Sequence, residues 1–390
     1  MADIIISKYK DTPVVTAFIG NKMEYLSFVR ESDIHNIYVG RVDHIVKNID
    51  AAFVKYTVDN IGYLPLKNIT SACVLNKDFR KGDKLCNGDI VLVQVESEAV
   101  KTKKTKLTTN LSIPSKYSVI TLGKTGIGAS VKLPNDIREM YTESVKDGYN
   151  KLLEDRKASL FGCDIGLIIR TEALDLGDEV RAEEVIKYSE EVTDLLCDIL
   201  KQSRTRTQYS LIYSAQNSDV DSHVNKATAF LKGRGISDIN IIEDSGIYGI
   251  PSKIEELCRN KVWLKSGAFL IIEQLESFNA IDVNTGKAIK GDDIAKSVNN
   301  EAAVEIMRQI RLRNLTGMIL IDFINMEDED EKQKLIDKMK HLCKQDPIHT
   351  AFIDITGLGI MELIRNKNDK SLKEILKDVE KAVDNSKHQC

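Results

Sequence analysis

Two aspartates, Asp282 and Asp322, are the residues best placed by type and spacing to do chemistry. Each sits in a short apolar run, NAIDV over residues 279–283 and MILIDFI over residues 318–324. An ionised carboxylate inside a run expected to be buried is costly unless something positive meets it. Asn284 follows the first aspartate by two positions, in an NTG turn, and no histidine lies nearby in the sequence. Two carboxylates and an amide form a hard, oxygen-rich donor set, which suits Mg²⁺ holding phosphate oxygens better than zinc. The plainer alternative is that each aspartate ends a strand and bonds to backbone. Spacing alone leaves both readings open.

The elements that must position these residues are legible around them. Between the two runs, Ala302, Ile306, Ile310 and Leu315 recur at helical spacing. Asn299 or Asn300 can cap the start of that helix and Gly317 can end it. Strand, helix, strand is a crossover unit whose strands lie side by side and parallel. The aspartates, 322 − 282 = 40 residues apart, would then meet on one sheet edge. Upstream, KVWLKSGAFLIIEQLESFNAIDVN predicts a hairpin in which Trp263, the sole tryptophan, packs. The EDEDE run at 327–331 reads as acids at a helix N-terminus rather than a metal cluster. Residues 351–367 read as a strand followed by a helix carrying Glu362 and Arg365.

Earlier segments offer candidates for binding. Residues 35–115 hold alternating or fully apolar runs separated by Gly, Asp and Asn, the pattern of a small β-barrel. Phe53 and Tyr63 within it are either core rings or exposed stacking surfaces. Lys101, Lys103, Lys104 and Lys106 follow directly, as a solvated loop or as a cationic rim for a phosphate backbone. Gly126 and Gly128 make a tight loop, and GLIIRT puts Arg170 and Thr171 at the end of an apolar strand. An arginine there can fork a terminal phosphate or simply form a salt bridge. Residues 181–208 read as one long helix.

Bulk properties narrow the class. With 390 residues, 42% hydrophobic and 29% charged, the chain is an ordinary multidomain globular protein. Its apolar runs are strand length, so no membrane span is expected, and the N-terminus lacks a signal-peptide pattern. Seven scattered cysteines without a CxxC pair fit a reduced, cytoplasmic compartment. The net charge of −4 excludes a uniformly basic nucleic-acid binder but not one with local basic patches.

Three blocks, AIDVNTGK at 280–287, the run from NNEAAVEIM to FINM at 299–326, and KVWLKSG at 261–267, closely resemble the catalytic blocks of the ribonuclease E/G family. The GRV…AAFV…GYLP…GDIVLVQV pattern is similar to an S1 domain, an OB-type RNA-binding barrel. The resemblance implies an α/β (α+β multidomain) protein. A discontinuous ribonuclease-H-like subdomain (residues 1–34 and 209–260) is interrupted by the S1 barrel (35–115) and a 5′-sensor region (116–208). A DNase I-like catalytic domain (261–367) and a helical tail (368–390) follow. It further implies a Mg²⁺-dependent endoribonuclease of rRNA or mRNA processing or decay, cutting single-stranded RNA to leave 5′-phosphate and 3′-hydroxyl ends. Asp282 and Asp322 would hold the metal and Asn284 would steady the first. Phe53, Tyr63, Lys103 and Lys106 would clamp RNA, while Gly128, Arg170 and Thr171 would read a 5′-monophosphate. The tail SLKEILKDVEKAVDNSKHQC lacks the family's CPxC zinc-link and its C-terminal small domain follows nowhere, so a shared zinc is not expected. Self-association would need another route, such as the Leu372, Ile375, Leu376, Val379 stripe, which could equally be a docking helix. The alternative function is an RNA-binding protein on the same scaffold that has lost turnover.

Overall fold

The structure is a computed structural model that describes all residues except 68, 81, 100–103, 132, 216–218, 245, 287–293, 368 and 388–390. It has a mixed α/β architecture with two compact units, one formed by residues 1–31 and 217–390 and the other by residues 32–216.

In the first unit the N-terminal strands Ala2–Tyr9, Thr12–Ile19 and Lys22–Phe28 form an antiparallel meander. Ile239–Glu243 pairs parallel with the first of them, Ala2 opposite Ile239 and Ile6 opposite Glu243, completing a four-stranded sheet. Three strands alone are marginal, and a distant strand covers an edge that would otherwise be open. The helix Ile250–Glu256 has proline in its first turn, where a missing N–H costs nothing. Leu372, Ile375, Leu376 and Val379 of the tail helix Leu372–Lys387 are buried with Ile5, Tyr9, Val14 and Ile254. That stripe docks onto its own chain, so it is not a spare surface for self-association.

A six-stranded mixed sheet lies in the same unit. Its spatial order is Lys261–Trp263, Phe269–Gln274, Asn279–Asn284, Gly317–Asp322, Ile360–Arg365, Thr350–Ile355. Every neighbouring pair is antiparallel except Asn279–Asn284 with Gly317–Asp322, which the crossover helix Ile294–Leu312 joins in parallel. That helix and Glu329–Lys344 pack on one face, over Leu270, Ile281, Ile319, Ile321 and Leu363. Asp328 caps the second helix, its carboxylate accepting from the backbone N–H of Asp330 and Glu331 at 2.8 and 3.3 Å, the device expected from the acidic run.

Three local expectations give way. Residues 351–367 form a strand hairpin, since Met361 and Leu363 alternate inward with outward Glu362 and Ile364, a period of two. Arg365 therefore ends a strand. Its side chain is 1% exposed and paired with the fully buried Asp346, Nε to Oδ2 and Nη2 to Oδ1 both 3.2 Å. The crossover helix stops at Leu312, and Asn314, at φ 47°, turns the chain. Leu315 and Gly317 lie beyond it, and Asn299 and Asn300 lie inside it. The long helix of the second unit is Asp178–Ser203.

In that second unit Ile37–Val46, Ala51–Lys55, Ile61–Pro65, Lys106–Thr108 and Ile90–Ser97 close into a five-stranded barrel, with Leu211–Tyr213 added beside the first strand. A four-stranded sheet of Ser112–Pro114, Ser118–Leu122, Ile165–Ile169 and Ile127–Ala129 packs on the long helix. Among the described residues no helix is long and apolar enough to cross a membrane.

Arg365→Met would leave Asp346 charged and unpaired in the interior. Breaking a buried pair by removing one partner costs about 3–5 kcal/mol, and denaturant unfolding should show a loss of that size.

Candidate active site

The parallel pair puts the two aspartates side by side. Asp282 and Asp322 are register partners, so their backbones are one strand spacing apart, about 4.8 Å in sheets generally. Both are exposed, whereas Ile281, Val283, Ile319 and Ile321 are buried beneath the helices. This corrects the expectation that the carboxylates are buried. An apolar run with a single aspartate still alternates, and the acids fall on the face opposite the two helices. The desolvation cost inferred from the sequence is therefore not incurred. Asn284, two residues on and on the same face, donates from Nδ2 to Asp282 Oδ2 at 2.6 Å.

No cluster of three or more His, Cys, Asp or Glu suited to a metal occurs among the described residues. Two exposed carboxylates and no nitrogen or sulfur donor fit Mg²⁺, which keeps several of its waters and takes substrate oxygens. They do not fit a closed zinc site. Asn284 would orient Asp282 through its amide N–H rather than offer that nitrogen as a ligand.

Three contacts fix the backbone around the pair. Asn299, fully buried on the crossover helix, donates to the Ile324 carbonyl at 2.8 Å and accepts from the Ile324 N–H at 3.0 Å, clamping the chain two residues past Asp322. Glu301, on the same helix, accepts from the backbone N–H of Lys265 and Ser266 at 2.7 and 3.2 Å, gripping the turn before Phe269–Gln274. Gly286, at φ +56°, lies so close to that turn that a Cβ would collide with the Gly267 carbonyl oxygen. Only glycine meets both demands.

The barrel carries a second group. His44, Phe53, Tyr63 and Lys106 occupy successive register positions on four adjoining strands. Phe53 and Tyr63 are half-buried on the outside of the barrel, not in its core. His44 stacks on Phe53 with centroids 4.7 Å apart at 15°, and Phe53 meets Tyr63 edge-on at 6.2 Å. Lys106 Nζ lies 2.7 Å from Glu96 Oε1. Lys103 lies outside the described residues.

The third group is only partly free for a ligand. Gly128 and Ala129 pair with Ile168 and Ile169, placing Gly128 beside the strand that leads into Arg170 and Thr171. Arg170 donates from Nη1 to the Ser115 carbonyl and from Nη2 to Glu172 Oε1, both at 2.7 Å. Thr171 Oγ1 donates to Glu172 Oε2 at 3.2 Å. The salt-bridge alternative left open by the sequence is present, through an acid that went unremarked there.

Residues 219–368 match the model of the Ribonuclease E/G family. The chain is also 26% identical to Ribonuclease G of Escherichia coli (strain K12), over 96% of this chain and 82% of that protein. It is 30% identical to Ribonuclease E of the same strain, over 87% of this chain and 34% of that protein, and 27% identical to Ribonuclease E of Nostoc sp., over 88% and 53%. The chain belongs to the ribonuclease E/G family.

In this ribonuclease E/G family member, sequence reasoning missed His44, Glu172 and the clamping roles of Asn299 and Glu301. Trp263, expected to pack, does so against Phe269 and Lys261 while 60% of it stays exposed. Register was the missing signal for His44 and for the partners of Trp263, because only strand pairing shows which residues adjoin. Asn299 and Asn300 did stand out, as an asparagine pair in an apolar helix, but as caps.

Asn299→Leu would strand the Ile324 N–H and carbonyl. At about 1–3 kcal/mol per unsatisfied buried group, denaturant unfolding should show a loss of roughly 2–6 kcal/mol. A second measurement concerns Glu301. Burial raises its pKa, but hydrogen bonds from the Ser266 side chain and the Lys265 and Ser266 N–H groups outweigh this and hold it below 4.5. Its folded value is thus below its unfolded one, so its contribution is complete above 4.5 and disappears as pH falls through the lower folded value. The stability difference between wild type and Glu301→Gln should shrink on acidification across that window.

Proposed function

We propose that this chain is an endoribonuclease of RNA processing that cuts single-stranded RNA at the Asp282–Asp322 pair. The observation that carries the reading is the register of those two exposed carboxylates on the sheet face opposite the packed helices, in a chain of this family. Asp282 and Asp322 would hold Mg²⁺, and Asn284 would steady the Asp282 carboxylate through the hydrogen bond it donates. Bound there, the ion supplies positive charge for the scissile phosphate and lowers the pKa of an attacking water. Hydrolysis leaves a 5′-phosphate and a 3′-hydroxyl.

Phe53 and Tyr63, on a barrel that fits an S1-like domain, stack unpaired bases without demanding a sequence. Lys103 and Lys106 meet the backbone phosphates, so affinity falls as salt rises. Arg170 and Thr171, beside Gly128, favour a 5′-monophosphate, which competes with Glu172 for the guanidinium. The scattered cysteines, none in a CxxC pair, fit a reduced, cytoplasmic compartment.

A 5′-monophosphorylated oligoribonucleotide incubated with Mg²⁺ should be cut, and EDTA should stop the cutting. Asp282→Asn should slow cleavage by roughly 10²–10³-fold, the rate equivalent of about 3–4 kcal/mol, while RNA affinity stays within a few-fold. Binding without cleavage under any divalent ion would leave only the binding-protein reading. Phe53→Ala should weaken binding by about 1–3 kcal/mol. Arg170→Ala should erase any preference for monophosphate over hydroxyl ends, and unchanged end preference would remove that residue from the sensor.

A further inference from the structure

The face that carries the carboxylates also carries an aromatic cluster that the reading above does not use. Trp263 is the register partner of Phe269, and Phe269 is the partner of Asn284. Lys261 is the partner of Ile271, and Ile271 of Asp282. Residues directly opposite on neighbouring strands share a face, so all of these point to the side of Asp282 and Asp322. The strand Lys261–Trp263 is two spacings from Asn279–Asn284, about 10 Å by general sheet geometry. That is the range of the nucleotides adjoining a phosphate held at the pair.

The cluster is braced. Trp263 and Phe269 meet edge-on at 5.3 Å, and Lys261 Nζ lies 4.1 Å from the Trp263 centroid and 3.7 Å from that of Phe269. Phe269 is half-buried, and the turn before it is gripped by Glu301 and abuts Gly286. Trp263 nevertheless leaves 60% of its surface open. An indole this exposed on a strand does little for the core, which is filled from the other face by Leu264, Leu270 and Ile272. A rigid open ring with an ammonium against it matches a nucleotide, offering a π-face to the base and positive charge to the phosphate.

We propose that Trp263, braced by Phe269 and Lys261, stacks an unpaired base of the RNA next to the phosphodiester held at Asp282 and Asp322. The inference rests on the endoribonuclease reading for its substrate, but its test does not require cleavage. It gives the sheet its own grip on RNA, independent of the barrel rings.

Trp263 is the only tryptophan among 390 residues, so the protein's indole emission reports this site alone. The full-length Asp282→Asn chain is titrated with a single-stranded oligoribonucleotide while a labelled copy of the RNA reports binding by anisotropy. Stacking should quench the emission along the same saturation curve, and an abasic residue at one position, but not at others, should restore it. Binding with unchanged emission overturns the proposal, as does a quench indifferent to every abasic substitution. Emission that shifts with protein concentration in the absence of RNA, alongside a rise in mass by light scattering, means that a second copy covers the ring, and this also overturns it. In the cleaving wild type, Trp263→Ala should raise KM roughly tenfold with kcat within about twofold, the size expected of one stacked base, and Trp263→Phe should recover most of the loss. If wild type never cuts, the endoribonuclease reading fails, and the titration still decides whether the ring meets a base.

Discussion

The chemistry proposed for this chain depends on one parallel strand pairing. Asp282 and Asp322 adjoin because Asn279–Asn284 and Gly317–Asp322 align without a slip. A shift of one residue would turn Asp322 to the helix side and bring Ile321 or Phe323 outward, since side chains alternate. The apolar partners enforce the register. Ile281, Val283, Ile319 and Ile321 are buried only when the two acids face out together. The hydrophobic core therefore sets the geometry of the polar site, from the opposite face of the same strands.

The crossover helix is more than a connection. Its apolar side fills the core, while Asn299 and Glu301 reach in opposite directions to the segment after Asp322 and to the turn before Phe269–Gln274. Gly286 closes the arrangement by bringing the NTG turn against that same turn. Asn284, which steadies Asp282, and Phe269, which braces Trp263, are register partners. The carboxylates and the aromatic cluster thus share one rigid support. A site on paired strands holds its geometry better than one on loops.

The barrel repeats the theme with different chemistry. His44, Phe53, Tyr63 and Lys106 come from segments scattered over more than sixty residues of sequence, and four adjoining strands set them in a row. The Arg170 region is organised otherwise. There a guanidinium is held by Glu172 and the Ser115 carbonyl, within its own chain.

The two aspartates, their amide, the crossover order and the acidic helix cap could all be read from the sequence, because each leaves a local trace: a charge in an apolar run, a change of hydrophobic period, or an acid at a helix start. The barrel was legible for the same reason. Which face the acids occupy was not, since an apolar run with one aspartate does not say which side the helices cover. Residues 351–367 were misread because a short alternating run after a turn fits either period until its partner strand is known. The tail stripe had two equal readings until its neighbours Ile5, Tyr9 and Val14 were in place. Trp263 was expected to pack, and strand pairing decided against what: Phe269 and Lys261, on the open face of the sheet. Sequence determined which groups are available and on which elements they ride. Tertiary structure decided which of them meet, because register and the covered face of a sheet depend on strands far away in the chain.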